Sequence, residues 1–193
     1  MKSIVAILIL ATAVCSAEVK PKSLVTAARN QIGVTVAYDP AYRKLDYPGG
    51  DVPKKVGVCT DVIIRAMREQ GIDLQKEVHE DMVRAFEAYP QKWGLKKPDS
   101  NIDHRRVLNL MTYFSRQGYA QSAVEKATNF AAGDIVAWDL GEGVTHIGIV
   151  SDKTGPKGTP LIIHNIGNGT QEEDILFQFH IIGHYRCKGS SSQ

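Results

Sequence analysis

The chain has 193 residues, 43% hydrophobic and 23% charged, enough apolar material for one globular domain with its own core. Its 23 Lys and Arg against 21 Asp and Glu leave it near neutrality, which excludes the electrostatic attraction on which nucleic-acid binding rests. No internal repeat, low-complexity tract or interdomain linker divides it.

The N-terminus reads as a leader. Met1-Lys2-Ser3, the apolar run Ile4 to Val14 and the small residues Cys15-Ser16-Ala17 have the order of a secretory signal cleaved after Ala17. The apolar run is shorter than the roughly 20 residues a membrane-spanning helix needs, so no stable membrane anchor is expected. Thr12 and Val14 fit poorly a signal for lipid attachment at Cys15. We therefore expect residues 1–17 to be a signal peptide and 18–193 a single domain, periplasmic or secreted and acting as a monomer. Losing Lys2 takes the basic count from 23 to 22 against 21 acidic residues, a mature net charge of about +1. Cleavage also leaves Cys59 and Cys187 as the only thiols in an oxidising compartment, where a disulfide between them would block both.

From Ser23, a candidate helix cap, the apolar residues Leu24, Ala27, Ala28 and Ile32 recur at helical spacing until Gly33. Residues 38–53, with three prolines, paired glycines and three tyrosines, read as a loop. Cys59, Ile63, Ala66 and Met67 then mark a helix that ends near Gly71 and carries the cysteine at its opening, where unpaired amide N–H groups and the macrodipole favour the thiolate. Val78, Met82, Ala85, Phe86 and Tyr89, and later Val107, Leu110, Met111 and Phe114, repeat at helical intervals. The region 71–130 is thus expected to be mostly helical.

Beyond Phe130 the period changes to two. Short runs rich in β-branched residues, 134–138, 144–150 and 161–164, are separated by glycine-rich turns and carry His146 and His164. In 175–186, Ile175, Phe177, Phe179, Ile181 and Tyr185 alternate with Gln178, His180, His184 and Arg186, the pattern of a half-buried strand. Helices gathered before an antiparallel sheet define an α+β domain.

Gly133-Asp134-Ile135-Val136-Ala137-Trp138, then Thr145-His146-Ile147-Gly148-Ile149-Val150, then Ile162-Ile163-His164 resemble three consecutive strand signatures of the NlpC-type cell-wall cysteine peptidases. Gln31-Ile32-Gly33, Tyr47-Pro48-Gly49-Gly50 and Val58-Cys59-Thr60-Asp61 fall where that family has its leading helix, tyrosine-glycine loop and nucleophile helix. The mature chain is similar, more closely, to a group of exported bacterial proteins related to that superfamily, with 47–53 and Asn101-Ile102-Asp103-His104-Arg105-Arg106 as distinctive segments. The resemblance implies a papain-like fold in which Cys59 attacks, His146 serves as base and then acid, and His164 orients the imidazole, with no cofactor and no metal. It implies peptidoglycan or a muropeptide as partner and an amide bond of its stem peptide as target.

Oxyanion stabilisation would come from the Cys59 backbone N–H, with Tyr47 as second donor. The chain has Val58 before the cysteine and Thr60-Asp61 after it, where the family has Asp before and Ser-Gly after, and its region 71–130, longer than the family's minimal peptidase core, is expected to be a helical insertion that covers or shapes the cleft. Asp61 can therefore cap helix N–H groups or bind a substrate ammonium. Asn165 is an alternative to His164 as the orienting group. His79, His104, His180 and His184 read as solvated. Asp103, Arg105 and Arg106 read as a solvated helix start, with contact between the guanidinium groups and a substrate carboxylate as the alternative. Other functional classes fit the same residues: a muropeptide-binding module without activity, an acyl transferase acting on lipids, and a zinc site. The last lacks any closely spaced ligand pair such as C-x-x-C.

Overall fold

The structure, a computed structural model, describes residues 18–122 and 126–187, so the expected leader lies outside the described residues. Four α-helices come first: α1 Pro21–Arg29, α2 Cys59–Arg68, α3 Leu74–Ala85 and α4 Val107–Arg116. Two-residue strands β1 (Ala37–Tyr38) and β2 (Val56–Gly57) pair in parallel just before α2. The rest is an antiparallel sheet of β3 (Ile135–Asp139), β4 (Thr145–Thr154), β5 (Pro160–His164), β6 (Gln171–Glu173) and β7 (His180–Tyr185), in the order β6-β5-β4-β3-β7. This is the expected α+β arrangement, helices on an antiparallel sheet with a cysteine at the N-terminus of a helix.

The period-two pattern of the strands decides where the core sits. Ala137, Ile147, Ile149 and Ile163 face the helices and bury Leu24, Val25 and Ala28 of α1 with Val62, Ile63, Ala66 and Met67 of α2. Val136, Trp138, Val150 and Ile162 face the other way and pack with Phe130, Leu176 and Ile181 in a second cluster. Both faces of the central strands are covered, and β3 and β4 are accordingly buried almost throughout.

The helix starts differ from the sequence pattern. Pro21 opens α1 with Lys20 as cap, so Ser23 lies inside the helix. Proline is favoured at that first position because its missing N–H would have no partner there. For α2 the cap residue is Val58, whose side chain has no acceptor, and its own N–H is satisfied from within the helix by the Asp61 carboxylate.

The last strand is shorter than its alternation suggests. Residues 180–185 pair with β3, whereas the stretch before them forms a turn. The register steps from Ala137↔Gly183 to Trp138↔Ile181, which leaves Ile182 as the extra residue of a bulge. One inserted residue reverses the alternation beyond it. Ile181 therefore packs on the second cluster and Tyr185 on the helix side, and His184 turns inward beneath Phe130. Expected on the surface, His184 is buried and contacts Asp134 Oδ2 at 2.7 Å, while Arg186 donates to both oxygens of the same carboxylate.

Candidate active site

Cys59 is the first residue of α2, and Val58 before it is fully extended (φ −112°, ψ −179°). The start of α2 packs against β4. The ladder between β4 and β5 begins at Ile149↔Ile163, so the N–H of Ile147 lies past the end of that ladder, and the Cys59 sulfur accepts it. The residue before Ile147 is His146, whose ring stacks on Trp138, its cross-strand partner in β3, with centroids 5.7 Å apart. His146 Nε2 lies 3.0 Å from His164 Nδ1, and the rings meet edge to face at 79°. The two strand histidines thus converge, and the thiol is set against the backbone of the next residue.

A fourth group extends this line. His164, fully buried, has its Nε2 3.0 Å from Glu173 Oε2 on β6, an ion-pair contact off the axis of the ring N–H. β5 and β6 pair Ile162 with Glu173 and His164 with Gln171, so the contact runs diagonally across the ladder. Sequence reading missed Glu173. Asn165 does other work: its Nδ2 donates to Gly57 O at 3.0 Å and ties β5 to the strand that leads into Cys59.

Asp61 is the anchor of the helix tip. Its Oδ2 accepts the Val58 N–H at 2.7 Å, and its two oxygens accept from Arg105 Nε and Nη2, each at 3.0 Å. Arg105 also donates to Ala41 O and Asp39 O. With side-chain exposures of 2% and 4%, this pair is shut away from solvent. Asp61 therefore holds the helix start rather than binding a substrate ammonium, and Arg105 is committed to the interior rather than to a ligand. His104, next to it, is also buried, and desolvation lowers its pKa to about 4.

A cleft of about 210 Å³ opens at Cys59, lined among others by Tyr38, Thr145, Trp93 and Arg106. Tyr47 is not among its lining residues; its ring stands edge-on to His79 on α3 at 5.1 Å, which also takes His79 out of a purely solvated setting. Tyr38 occupies the place expected of Tyr47, because parallel pairing sets it in register with Gly57, two residues before the cysteine. Burial, then the Cys59 and Asp61 charges, push its phenol up to about 12, so it is a donor at neutral pH. Three-residue neighbourhoods along the chain carry no signal of such a pairing, which is why the more tyrosine- and glycine-rich loop stood out instead. A larger groove of about 860 Å³ runs along α1 toward Arg65, Arg68 and Glu69, the opposite end of α2 from the thiol.

Burial dominates the electrostatics. Desolvation raises the Cys59 thiol to about 12 against the Ile147 N–H, which pulls it down. Desolvation, then the His164 charge, lower His146 to about 3. Burial lowers His164 as well, with Glu173 opposing. Burial thus favours a neutral thiol and neutral imidazoles at rest over the thiolate that the helix terminus alone would favour: removing the sulfur from water outweighs a half-charge macrodipole. Cys59 and Cys187 are both free and buried, so no cystine consumes the thiol. Among the described residues no three of His, Cys, Asp and Glu are grouped as metal ligands.

The fold and site define a class: an α+β protein with a buried thiol on a helix tip against a strand that carries one of two touching histidines. The chain belongs to the family described as "Domain of unknown function (DUF1287)", which matches residues 25–187. It is 58% identical over 164 residues, 85% of this chain and 80% of the relative, to "Uncharacterized protein YijF" of Escherichia coli strain K12. Among solved structures it is similar to NlpC1 of Trichomonas vaginalis (10% identity, TM-score 0.47, 91% of this chain and 46% of that one). It is also similar to an NLP/P60-family protein of Staphylococcus aureus subsp. aureus Mu50, described as similar to lipoprotein (16% identity, TM-score 0.42, 91% of this chain and 45% of that one). The chain spans less than half the length of either solved protein.

Replacing Asp61 by Asn leaves the Arg105 charge buried without a counter-ion. We expect a loss of about 3–5 kcal/mol in urea unfolding, against less than about 1 kcal/mol if the pair were solvent-screened. Alkylation of Cys59 by iodoacetamide, followed by peptide mass, should climb about tenfold per pH unit from 6 to 10 without levelling, since thiolate is scarce throughout. A plateau below pH 8 would mean a preformed ion pair.

Proposed function

We propose that this protein is an exported thiol hydrolase that cleaves an amide bond in peptidoglycan stem peptides through an acyl-enzyme on Cys59. The observation that carries the reading is the thiol at the first position of α2, accepting the Ile147 N–H one residue from a histidine that is itself hydrogen-bonded to a second. The NlpC-type signatures in the sequence supply the substrate class.

In this reading Glu173 sets the tautomers. A carboxylate only accepts, so the proton of neutral His164 sits on Nε2, facing Glu173 Oε2. Its Nδ1 is then the acceptor of the 3.0 Å bond from His146 Nε2–H. His146 is left with a lone pair on Nδ1, and that nitrogen is the base. With substrate bound, the thiol proton passes to His146 as sulfur attacks the carbonyl carbon; the oxyanion takes hydrogen bonds from the Cys59 N–H and the Tyr38 phenol. The C–N bond breaks, His146 returns the proton to the departing amine, and water cleaves the thioester to a carboxylic acid and the free thiol.

A second reading has one observation in its favour. Cys59 is 4% exposed and protonated at rest, which suits a muropeptide-binding module as well as an enzyme awaiting its substrate.

Digestion of purified sacculi decides between them. The wild type should release stem-peptide fragments identified by mass and Cys59→Ala should release none; no release by either, with equal binding of both to sacculi, would favour the binding module. Glu173→Gln should lower kcat by about tenfold or more while KM and the urea midpoint hold, because the residue acts on proton placement and not on substrate contact.

A further inference from the structure

The Cys59 cleft is too closed for the chemistry that a peptide would undergo there. The thiol is 4% exposed, and the cleft of about 210 Å³ falls below the roughly 300–1,000 Å³ of ordinary ligand sites. A peptide continues on both sides of the bond to be cut, so some wall of the cleft has to move. Most walls are fastened. Tyr38 is paired with Gly57, Arg105 donates to the carbonyls on either side of Pro40, and Thr145 is paired with Asp139 in the sheet. Arg106 stands before α4, where its carbonyl accepts the Asn109 and Leu110 N–H groups and its guanidinium is ion-paired with the buried Asp103 at 3.6 Å.

Trp93 is the exception. It belongs to the segment 92–98, none of whose atoms is hydrogen-bonded or ion-paired to a described residue outside the segment. Leu95 is half-buried and belongs to neither apolar cluster. Both ends are tied down. Ahead of the segment, the buried Tyr89 donates its phenol to Asp81 Oδ2 at 2.7 Å; after it, Asp99 donates its N–H to Asp103 Oδ2 and accepts from Asn101 and Tyr42. Between these anchors one contact reaches the cleft wall: the Arg106 Cζ stands over the Trp93 ring, 4.2 Å from its centroid. Trp93 and Gly94 have φ +62° and +66°, and the turn they form presents the indole to that guanidinium. The ring remains 47% exposed, so burial does little to hold the contact shut.

We propose that residues 92–98 are a lid on the Cys59 cleft, latched by the Trp93 ring on Arg106, and that the lid lifts about its anchors at Tyr89 and Asp99 to admit substrate. This deepens the thiol-hydrolase reading by naming what controls access to its thiol, and it rests on that reading only for what enters. A seated guanidinium on the fixed wall and an exposed ring on a segment without other ties make a latch that opens without disturbing the core, since lifting it breaks no hydrogen bond to the rest of the described protein.

The test reads access to the thiol and not turnover. Iodoacetamide is small and fluorescein maleimide is bulky, and both react through the thiolate, so the ratio of their rates at Cys59, followed by peptide mass, cancels any change in ionisation. Glycine is at ease at φ +62°, so Trp93→Gly removes the latch without straining the turn. We expect the bulky-to-small ratio at Cys59 to rise by about tenfold in Trp93→Gly and by less in Trp93→Phe, with the ratio at Cys187 unchanged. An unchanged ratio at Cys59, or an equal rise at Cys187 that marks general loosening, would overturn the lid. The wild type supplies a second arm: trypsin should cut the native protein after Lys92 or Lys96 at a rate that urea below the unfolding midpoint hardly alters. No cut there before global unfolding would also overturn it. If sacculi stay undigested while the ratio rises, the lid stands and the hydrolase reading falls; digestion with an unchanged ratio has the opposite meaning.

Discussion

The arrangement depends on one buried ion pair. Asp61, in the first turn of α2, accepts from the backbone N–H of Val58 and from both arms of the Arg105 guanidinium, while Arg105 reaches on to the carbonyls of Asp39 and Ala41. Three segments far apart in sequence are fixed by that contact: the helix that carries Cys59, the loop that follows Tyr38, and the segment that leads into α4. Such a pair stabilises little when weighed against an apolar replacement, because desolving two charges offsets their attraction. Its value is positional. Asp61 and Arg105 each hold backbone groups as well as one another, so the cysteine, the loop after Tyr38 and the segment that leads into α4 keep one geometry.

The same dryness sets the chemistry. A helix terminus offers about half a positive charge, enough to lower an exposed thiol. Here the sulfur lies inside the core, and the loss of its hydration outweighs that field, raising the thiol to about 12 while His146 falls to about 3. In the thiol-hydrolase reading proposed above, charge separation between the two waits for a substrate, so proton transfer and attack belong to one event. The line from His146 through His164 to Glu173 is suited to this. It ends on an exposed carboxylate that fixes which nitrogen holds each proton without placing a formal charge in the interior at rest.

Much of this was legible along the chain. Apolar spacing gave the helices around Val62–Met67 and Leu110–Phe114, β-branched runs gave β3, β4 and β5, and family signatures singled out Cys59, His146 and His164. Pairing across distance was not legible. Tyr38 reaches the cleft because a two-residue parallel bridge sets it beside Gly57, whereas Tyr47, in the more conspicuous loop, packs on His79. His184 read as exposed because strict alternation was assumed through a bulge at Ile182, and Asp61 read as available to a ligand because its partner Arg105 lies 44 residues away.

The sequence by itself determined the class of fold, the segment order and the identity of the thiol and two imidazoles, because periodicity and residue chemistry are local properties of a chain. Tertiary structure alone decided the ionisation of those groups, the addition of Glu173, the exchange of Tyr47 for Tyr38, and the burial of Asp61 against Arg105. Each of these depends on which atoms lose water and which partners they meet when distant segments close on one another, and neither quantity is written in the neighbours along the backbone.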